Sequence, residues 1–339
     1  MTKEVRVAVV GATGAVGQTI LDILEQRHFP VIEVFALASA KSAGSRVKFG
    51  NQRLKTRDLA EFDFAGVDIA LFSAGGSVSA EHAPRAAAAG SVVIDNTSHF
   101  RYDNDIPLVI SEVNPEAIAG YKTRGIIANP NCSTIQMLVA LAPLHRAATI
   151  TRINVATYQS VSGAGRSGLE ELGKQTADLL NFRKFKPKKF SQQIAFNLIP
   201  QIDAFVENGY TKEEMKLIWE TQKILGANIL VNPTCVRVPV FYGHSEAIHL
   251  ETERKLSAQQ ARDLLSVAPG VCVVDDPANA LYPTPVSHAA GKDPVFVGRI
   301  REDLSHPHGL NLWVVADNIR KGAALNAVQI AELLVKHHL

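Results

Sequence analysis

Residues 5–26, VRVAVVGATGAVGQTILDILEQ, constrain the fold more than any other stretch. The run from 5 to 11 is short, apolar and rich in valine, the pattern of a parallel strand buried on both faces. Residues 15–26 place Val16, Ile20, Leu21, Ile23 and Leu24 on one face of a helix. Between strand and helix stand Gly11, Gly14 and Gly17. Their spacing, G-x-x-G-x-x-G, differs from the fingerprint G-x-G-x-x-G but keeps its logic. Glycine lets the backbone turn tightly and approach a pyrophosphate, and the helix N-terminus presents unpaired N–H groups to the anion. A strand, a glycine turn and a helix in that order predict a nucleotide-binding unit.

The pattern continues along the chain. Strands are expected at 31–39, 68–76, 91–98 and 125–130, with a helix at 80–90. Strands alternating with helices make an α/β, doubly wound Rossmann-type parallel sheet over about the first 130 residues. Beyond it the texture changes. A helix is expected over about 133–147, kinked or ended by Pro143. Longer strand-like stretches at 149–163, 235–253, 294–303 and 309–318 are interrupted by helices at about 165–180, 211–226 and 257–267. Few tight hairpin signals join them, so the second domain is expected to be α+β, a mixed sheet with helices mainly on one face. The final helix, 321–338, is expected to pack back on the first domain. The division expected is therefore 1–130 with 319–339, and 131–318.

The 339 residues are 46% apolar and 20% charged, an ordinary globular composition. A net charge of +2 argues against nucleic acid or an anionic membrane as partner. The basic run FRKFKPKKF, 182–190, reads as a solvated loop. No apolar run reaches the ~18 residues of a spanning helix, and the glycine-rich start is unlike a secretory signal. A cytoplasmic protein is expected. Cys132, Cys235 and Cys272 are odd in number and widely spaced, which suggests neither a disulfide framework nor a metal site.

The end of the second strand carries the cofactor choice. A carboxylate there would bind a ribose 2′-hydroxyl and favour NAD. LASAKSAG (37–44) offers Ser39, Lys41 and Ser42 instead, groups suited to a 2′-phosphate, so NADP is expected. Glu33 stands too early in the strand, and Lys41 alone would read equally as an ordinary loop lysine.

Reactive groups gather at IIANPNCSTIQMLVALAPL, 126–144. Cys132 stands in a turn rich in proline and asparagine, ahead of the apolar helical run. A thiol at a helix N-terminus has its thiolate fraction raised, and asparagine can donate N–H to an oxyanion. Cys235 and Cys272 lie in apolar strand-like runs and read as inert. A nucleophilic thiol needs a base. His244 stands at a glycine break in VRVPVFYGHSEA, with Arg237 seven residues before it, and His249 is its nearest rival. On the helix 211–226, Thr211 and Glu214 fit a capping box. Glu213 and Lys216 share a face, while Met215, Ile218, Trp219, Gln222 and Leu225 mark a largely apolar opposite side.

Taken in order, GATGAVG, NPNCST, YQSVSGAG, KEEMK, CVRVPVFYGHSEA and DNIRKGAALNAVQIAE resemble the aspartate-β-semialdehyde dehydrogenase family from end to end. The resemblance implies that Cys132 is the nucleophile, His244 the general acid/base and Gln159 the residue that orients the reacting group. Arg237 would hold the substrate α-carboxylate as a fork. Arg101 and Lys216 would bind phosphate, Asn131 would line the same site, and Glu213 would take the substrate ammonium. Thr13, Gly14, Ala15, Val16, Lys41 and Ser42 would contact NADP, as would Ser162, Gly163 and Asn318.

The reaction so implied is reductive dephosphorylation of β-aspartyl phosphate to aspartate semialdehyde, or its reverse with inorganic phosphate, through a cysteine thioester. It would serve the biosynthesis of lysine (through diaminopimelate), threonine and methionine. The resemblance also implies a homodimer joined through the catalytic second domain. N-acetylglutamyl-phosphate reductase runs the same chemistry, but its cysteine motif usually reads N-P-G-C, and Asn131 stands here in the glycine's place. A non-catalytic NADP-binding regulator on the same fold would have no need to keep thiol, imidazole and anion-binding residues together.

Overall fold

The computed structural model describes residues 3–226 and 228–339, and every count refers to those residues. They form two compact units. One runs to Asn131 and takes in Ala323–Leu339; the other is Cys132–Gly322.

The chain opens with β1 (Val5–Val10), α1 (Ala15–Gln26) and β2 (Val31–Ala38). A hairpin of β3 (Arg46–Phe49) and β4 (Gln52–Lys55) comes next, then the short β5 (Arg57–Asp58). β6 (Ile69–Phe72), α2 (Gly76–Ala88), β7 (Val92–Asp95) and β8 (Ile126–Ala128) complete this part. Six strands run in the order β5-β2-β1-β6-β7-β8, each pair parallel. The order departs from β1 in both directions, so the switch point lies at the carboxyl end of β1, where the glycine loop begins. A Cβ on Gly17 would lie 2.1 Å from the Gly11 carbonyl oxygen, so only glycine lets α1 start this close to the loop. The hairpin and β5 were not expected. β3 alternates Arg46, Val47, Lys48 and Phe49, with Val47 buried, but at four residues it is too short to stand out, and β4 and β5 are mostly exposed. Helix α2 starts at Gly76, ahead of the expected 80, because the Gly75–Gly76 pair reads as a turn in sequence and serves as the helix start in space.

The second unit contains α3 (Cys132–Ala148), β9 (Ile150–Gln159), α4 (Arg166–Leu180), α5 (Lys212–Leu225), β10 (Leu230–Arg237) and β11 (His244–Thr252). It continues with α6 (Ala258–Ser266), β12 (Val271–Val273), β13 (Val295–Glu302) and β14 (Gly309–Ala316). The sheet order is β10-β9-β11-β14-β13-β12. Pairs β9/β10 and β12/β13 are parallel and the others antiparallel, a mixed sheet. Burial alternates along its strands: Ile153, Val155, Thr157 and Gln159 are buried on β9, and His244, Glu246, Ile248 and Leu250 on β11. Helices α3, α5 and α6 pack on the sheet.

Two expectations fail in this unit. Helix α3 does not end at Pro143, which stands inside it; it runs on to Ala148. It is buried along most of its length against the sheet, α5 and α6, and that packing outweighs the hydrogen bond a proline removes. The stretch 235–253 is not one strand. β10 and β11 are separated by residues 238–243, and Gly243 has φ +88°, the left-handed conformation that starts β11 at His244.

A π-helical turn at Arg320–Ala324 leads into α7 (Leu325–His337), so the closing helix begins four residues later than 321. α7 packs on α1 and β7. Its Leu325, Val328, Ala331 and Leu334 share one core with Val7, Val9, Ile20 and Leu24. Asn326 anchors it: Nδ2 donates to the Val109 carbonyl at 2.9 Å and to Asn129 Oδ1 at 2.6 Å, and Oδ1 accepts from the Ser111 N–H at 3.1 Å. No helix among the described residues is long and apolar enough to cross a membrane. Asn326→Ala should cost about 1–3 kcal/mol of stability, because it removes bonds made inside the core. Urea unfolding reads this directly, and an unchanged midpoint would show that α7 docks on apolar contacts alone.

Candidate active site

The register of three strands sets the centre of the second unit. In the parallel pair, Cys235 lies opposite Thr157 and Arg237 opposite Gln159. In the antiparallel pair, Glu246 lies opposite Thr157 and Ser245 opposite Tyr158, which brings His244 level with Gln159. Arg237, Gln159 and His244 thus form one row on the buried face, at 6%, 1% and 0% exposure. Cys132 is the first residue of α3, the helix laid on that face, and its charge acts on Arg237.

Hydrogen bonds tie the row to α5. Gln159 Nε2 donates to Glu213 Oε1 at 3.0 Å, and Gln159 Oε1 accepts from Thr157 Oγ1 at 3.0 Å. A carboxylate can only accept, so the amide orientation is fixed by chemistry. Glu213 Oε2 accepts from Lys216 Nζ at 2.8 Å, and Lys216 also reaches Asp203 at 3.1 Å. Burial works against the charge on Lys216, but Glu213 and Asp203 more than offset it and raise the amine above its ordinary value. Burial lowers Arg237, opposed by Glu213, Cys132 and Cys235. Arg237 Nη1 donates to the Ser160 carbonyl at 2.7 Å.

His244 is buried, and its Nδ1 accepts from the Ser160 backbone N–H at 3.1 Å. Burial first, then the Arg237 charge, push its pKa down to about 3, so the ring is neutral at pH 7. The loop over it passes close: a Cβ on Gly163 would stand 3.0 Å from Arg237 Nη1 and 3.3 Å from His244 Nε2. Asn318 Oδ1 accepts from Ser160 Oγ, Ser162 Oγ and the Gly243 N–H at 3.0, 3.0 and 3.1 Å. His249 points to the other side of the sheet. Its ring is held between Asp303 at 2.7 Å and Asn154 at 3.1 Å.

Helix α5 corrects one expectation. The capping box of Thr211 and Glu214 is formed, and Glu214 also accepts from the Cys235 N–H at 3.0 Å. The largely apolar side named from sequence is split: Met215 is buried, but Trp219 is 44% exposed, and Glu213, Glu214, Leu217, Glu220, Thr221 and Ile224 also face inward. Carboxylates that find partners inside disguise the buried face as a polar one.

The first unit has its own cavity, of about 480 Å³, at the carboxyl ends of its strands. Gly11, Thr13 and Gly14 line it from the loop, Ser39 from the end of β2 and Ser73 from the end of β6. Glycine backbone, the start of α1 and hydroxyls are groups that suit phosphate and ribose, so the lining fits a dinucleotide. Ala15, Val16 and Gly17 form the first turn of α1. Lys41 and Ser42 lie on the single 3₁₀ turn after Ser39, with Lys41 exposed. Arg101 lies beyond β7 in the chain, its Nη2 donating to the Asn96 carbonyl at 2.9 Å. Asn131 closes the run after β8 and is buried.

Two family models match the chain: "Semialdehyde dehydrogenase, NAD binding domain" over residues 6–121 and "Semialdehyde dehydrogenase, dimerisation domain" over residues 141–321. An aspartate-semialdehyde dehydrogenase of Shewanella sp. (strain DB6705) is 60% identical over the whole of both chains. Aspartate-semialdehyde dehydrogenase 2 of Vibrio cholerae is 61% identical over the same span. This chain belongs to the aspartate-semialdehyde dehydrogenase family. Among solved structures, aspartate semialdehyde dehydrogenase II of Vibrio cholerae, complexed with ASA, superposes with a TM-score of 0.98 at 60% identity, over 99% of this chain and 100% of that one. The family member from Candida albicans, solved with NADP, gives 0.77 at 26% identity, over 98% of each.

Beside the residues that the resemblance implies stand others that the sequence did not single out. Asp58 lines the first unit's cavity from β5, a strand too short to see in sequence. Ser160 sits between Arg237 and His244. Glu246, two residues along β11 from His244, is wholly buried, with no hydrogen-bond partner for either carboxyl oxygen among the described residues. Strand parity alone would have placed it behind the row. Burial raises its carboxyl well above the usual range, with only weak opposition from Gln136.

A carboxyl raised in this way is protonated in the folded state at pH values where the unfolded chain has ionised. Its contribution to stability is complete below the unfolded value near 4.5 and is lost as pH rises through the folded value. Glu246→Gln, which cannot ionise, should therefore match the parent near pH 4 and be the more stable protein at pH 8. Urea midpoints at the two pH values test this, and identical pH dependence in both proteins would contradict it.

Proposed function

We propose that this chain reduces β-aspartyl phosphate to aspartate semialdehyde with NADPH, and runs the reverse reaction with phosphate, through a thioester on Cys132. The observation that carries the reading is the buried row of Arg237, Gln159 and His244, with Glu213 bonded to Gln159, on the face where α3 begins with a cysteine. Cys132 sulfur attacks the acyl carbon, phosphate leaves, and a thioester remains. Lys216 offsets charge on the phosphate, and Arg237, ionised despite burial, forks the α-carboxylate. Glu213 takes the ammonium, and the fixed amide of Gln159 orients the reacting carbonyl. NADPH, held at the glycine-loop cavity, would supply hydride to the thioester carbon, leaving a hemithioacetal oxygen. His244 takes the Cys132 thiol proton at Nε2 as the sulfur attacks, gives it to that oxygen, and takes it back as the C–S bond breaks, which releases aldehyde and returns the sulfur to its resting state.

Arg101, Asn131, Ser162, Gly163 and Asn318 keep the substrate and cofactor roles that the resemblance implies. The half-exposed sheet face carrying Asn154, Tyr158, His249 and Trp313, in the part matched by a dimerisation-domain model, supports a homodimer. We place the enzyme in the cytoplasm, in the biosynthesis of lysine, threonine and methionine.

A turnover assay separates the candidate substrates. Aspartate semialdehyde with phosphate and NADP⁺ should be oxidised, and N-acetylglutamate semialdehyde should not; the reverse preference would overturn the assignment. Glu213→Gln removes one partner of a desolvated charge pair, worth ~2–5 kcal/mol, and should raise KM for aspartate semialdehyde. Glu214→Gln, which loosens the helix cap and Cys235, should mainly lower Tm. A normal KM in Glu213→Gln would take Glu213 out of substrate binding. Lys41→Glu should erode the preference for NADPH over NADH, and equal efficiency with both cofactors in the parent enzyme would exclude a 2′-phosphate site there.

A further inference from the structure

The acid/base role proposed for His244, a premise of the inference, leaves a question about its second nitrogen. A ring that gives and takes a proton at Nε2 alternates between imidazolium and the neutral form protonated on Nδ1. In both states Nδ1 carries a hydrogen and needs an acceptor. The Ser160 backbone N–H, 3.1 Å from Nδ1, is a donor. Alone it favours the opposite tautomer, with the proton on Nε2 and no lone pair facing the substrate. Ser160 Oγ stands 3.1 Å from the same nitrogen. We propose that the Ser160 hydroxyl is a positioning group that admits the working proton states of His244, accepting the Nδ1 hydrogen while donating its own to Asn318 Oδ1.

The surroundings fit that division of roles. Ser160 is wholly buried, so water does not substitute for the hydroxyl. Its donor direction has a carbonyl acceptor, Asn318 Oδ1 at 3.0 Å, held in place by Ser162 Oγ at 3.0 Å and the Gly243 N–H at 3.1 Å. Ser162 Oγ is also 2.9 Å from Ser160 Oγ. Three groups act on the ring from the elements around it. Arg237 on β10 disfavours its charge, Glu213 on α5 favours it, and the Gly243 backbone adds the smallest support. Gln159 Nε2, 3.5 Å from His244 Nε2, favours a lone pair on that nitrogen, and the Ser160 hydroxyl supplies the matching acceptor at Nδ1. The Ser160 carbonyl accepts from Arg237 at 2.7 Å, so one residue aligns the imidazole and the guanidinium together.

Ser160→Ala removes the hydroxyl but leaves Asn318 Oδ1 with Ser162 and Gly243, so the fold should persist, as the unfolding midpoint will report. In the phosphate-dependent direction kcat should fall about 10–100-fold with KM within about two-fold, and the acid limb of the kcat profile should move to lower pH. ¹⁵N spectra of histidine-labelled protein, assigned by difference with His244→Asn, give a readout that needs no catalysis. Parent enzyme with aspartate semialdehyde bound should show His244 protonated on Nδ1, and Ser160→Ala should show it on Nε2. Should the alanine variant not fold, the parent spectrum decides: an Nδ1 without hydrogen overturns the inference. A parent-like kcat and pH profile in folded Ser160→Ala overturns it too. If His244→Asn keeps full activity, the acid/base reading itself has failed; if His244→Asn is inactive and Ser160→Ala is not, the role of the Ser160 hydroxyl alone has failed.

Discussion

The pairing of β9 with a parallel β10 on one side and an antiparallel β11 on the other is the constraint on which the second unit depends. Side chains alternate across a strand, so a single register decides which residues share a face. Here it brings Arg237, Gln159 and His244 level, with Cys235, Thr157 and Glu246 in the row behind. A slip of one residue would turn all of these to the other face, where His249 already serves a structural bond to Asp303. The irregular segment after Arg237 and the left-handed Gly243 let β11 begin with the histidine. Across the row lies α3, whose first residue is the thiol.

A buried face this polar must satisfy its own groups. Glu213 does so with Gln159 and Lys216, Arg237 with the Ser160 carbonyl, and Glu214 with the Thr211 and Cys235 amides. The bonds of Glu213 and Arg237 also fix side chains whose orientation the proposed chemistry uses; those of Glu214 hold the start of α5. Glu246 is an exception: its carboxyl makes no close hydrogen bond among the described residues, and burial raises it well above the usual range, which ties stability to pH.

Much of this was legible in the sequence, for identifiable reasons. The glycine loop, α1 and β2 follow from hydrophobic period and turn chemistry, both local. Cys132 stood out because it stands in the Pro/Asn turn at the start of its helix rather than within the apolar run. What local pattern could not show was pairing. The hairpin β3–β4 is made of four-residue strands and β5 of only two residues, too short for a period to show, so Asp58 was missed in the cavity. The inward turn of Glu213, Glu214 and Glu220 on α5 could not be read from spacing, because carboxylates look solvated until partners such as Gln159, Lys216 and the Cys235 amide are placed against them. Pro143 looked like a helix end because propensity is blind to the packing on all sides of α3. From spacing alone His244 and His249 were rivals; parity along β11 puts them on opposite faces.

The central claim is that Cys132 carries the acyl group. Enzyme mixed with aspartate semialdehyde and NADP⁺, with phosphate withheld, should stop at the thioester. Acid quenching and peptide mass spectrometry should then find one aspartyl group on the peptide containing Cys132, released by hydroxylamine, and matched mole for mole by the NADPH formed. NADPH formed with no acyl group on Cys132, or with the group on Cys235 or Cys272, would contradict the account.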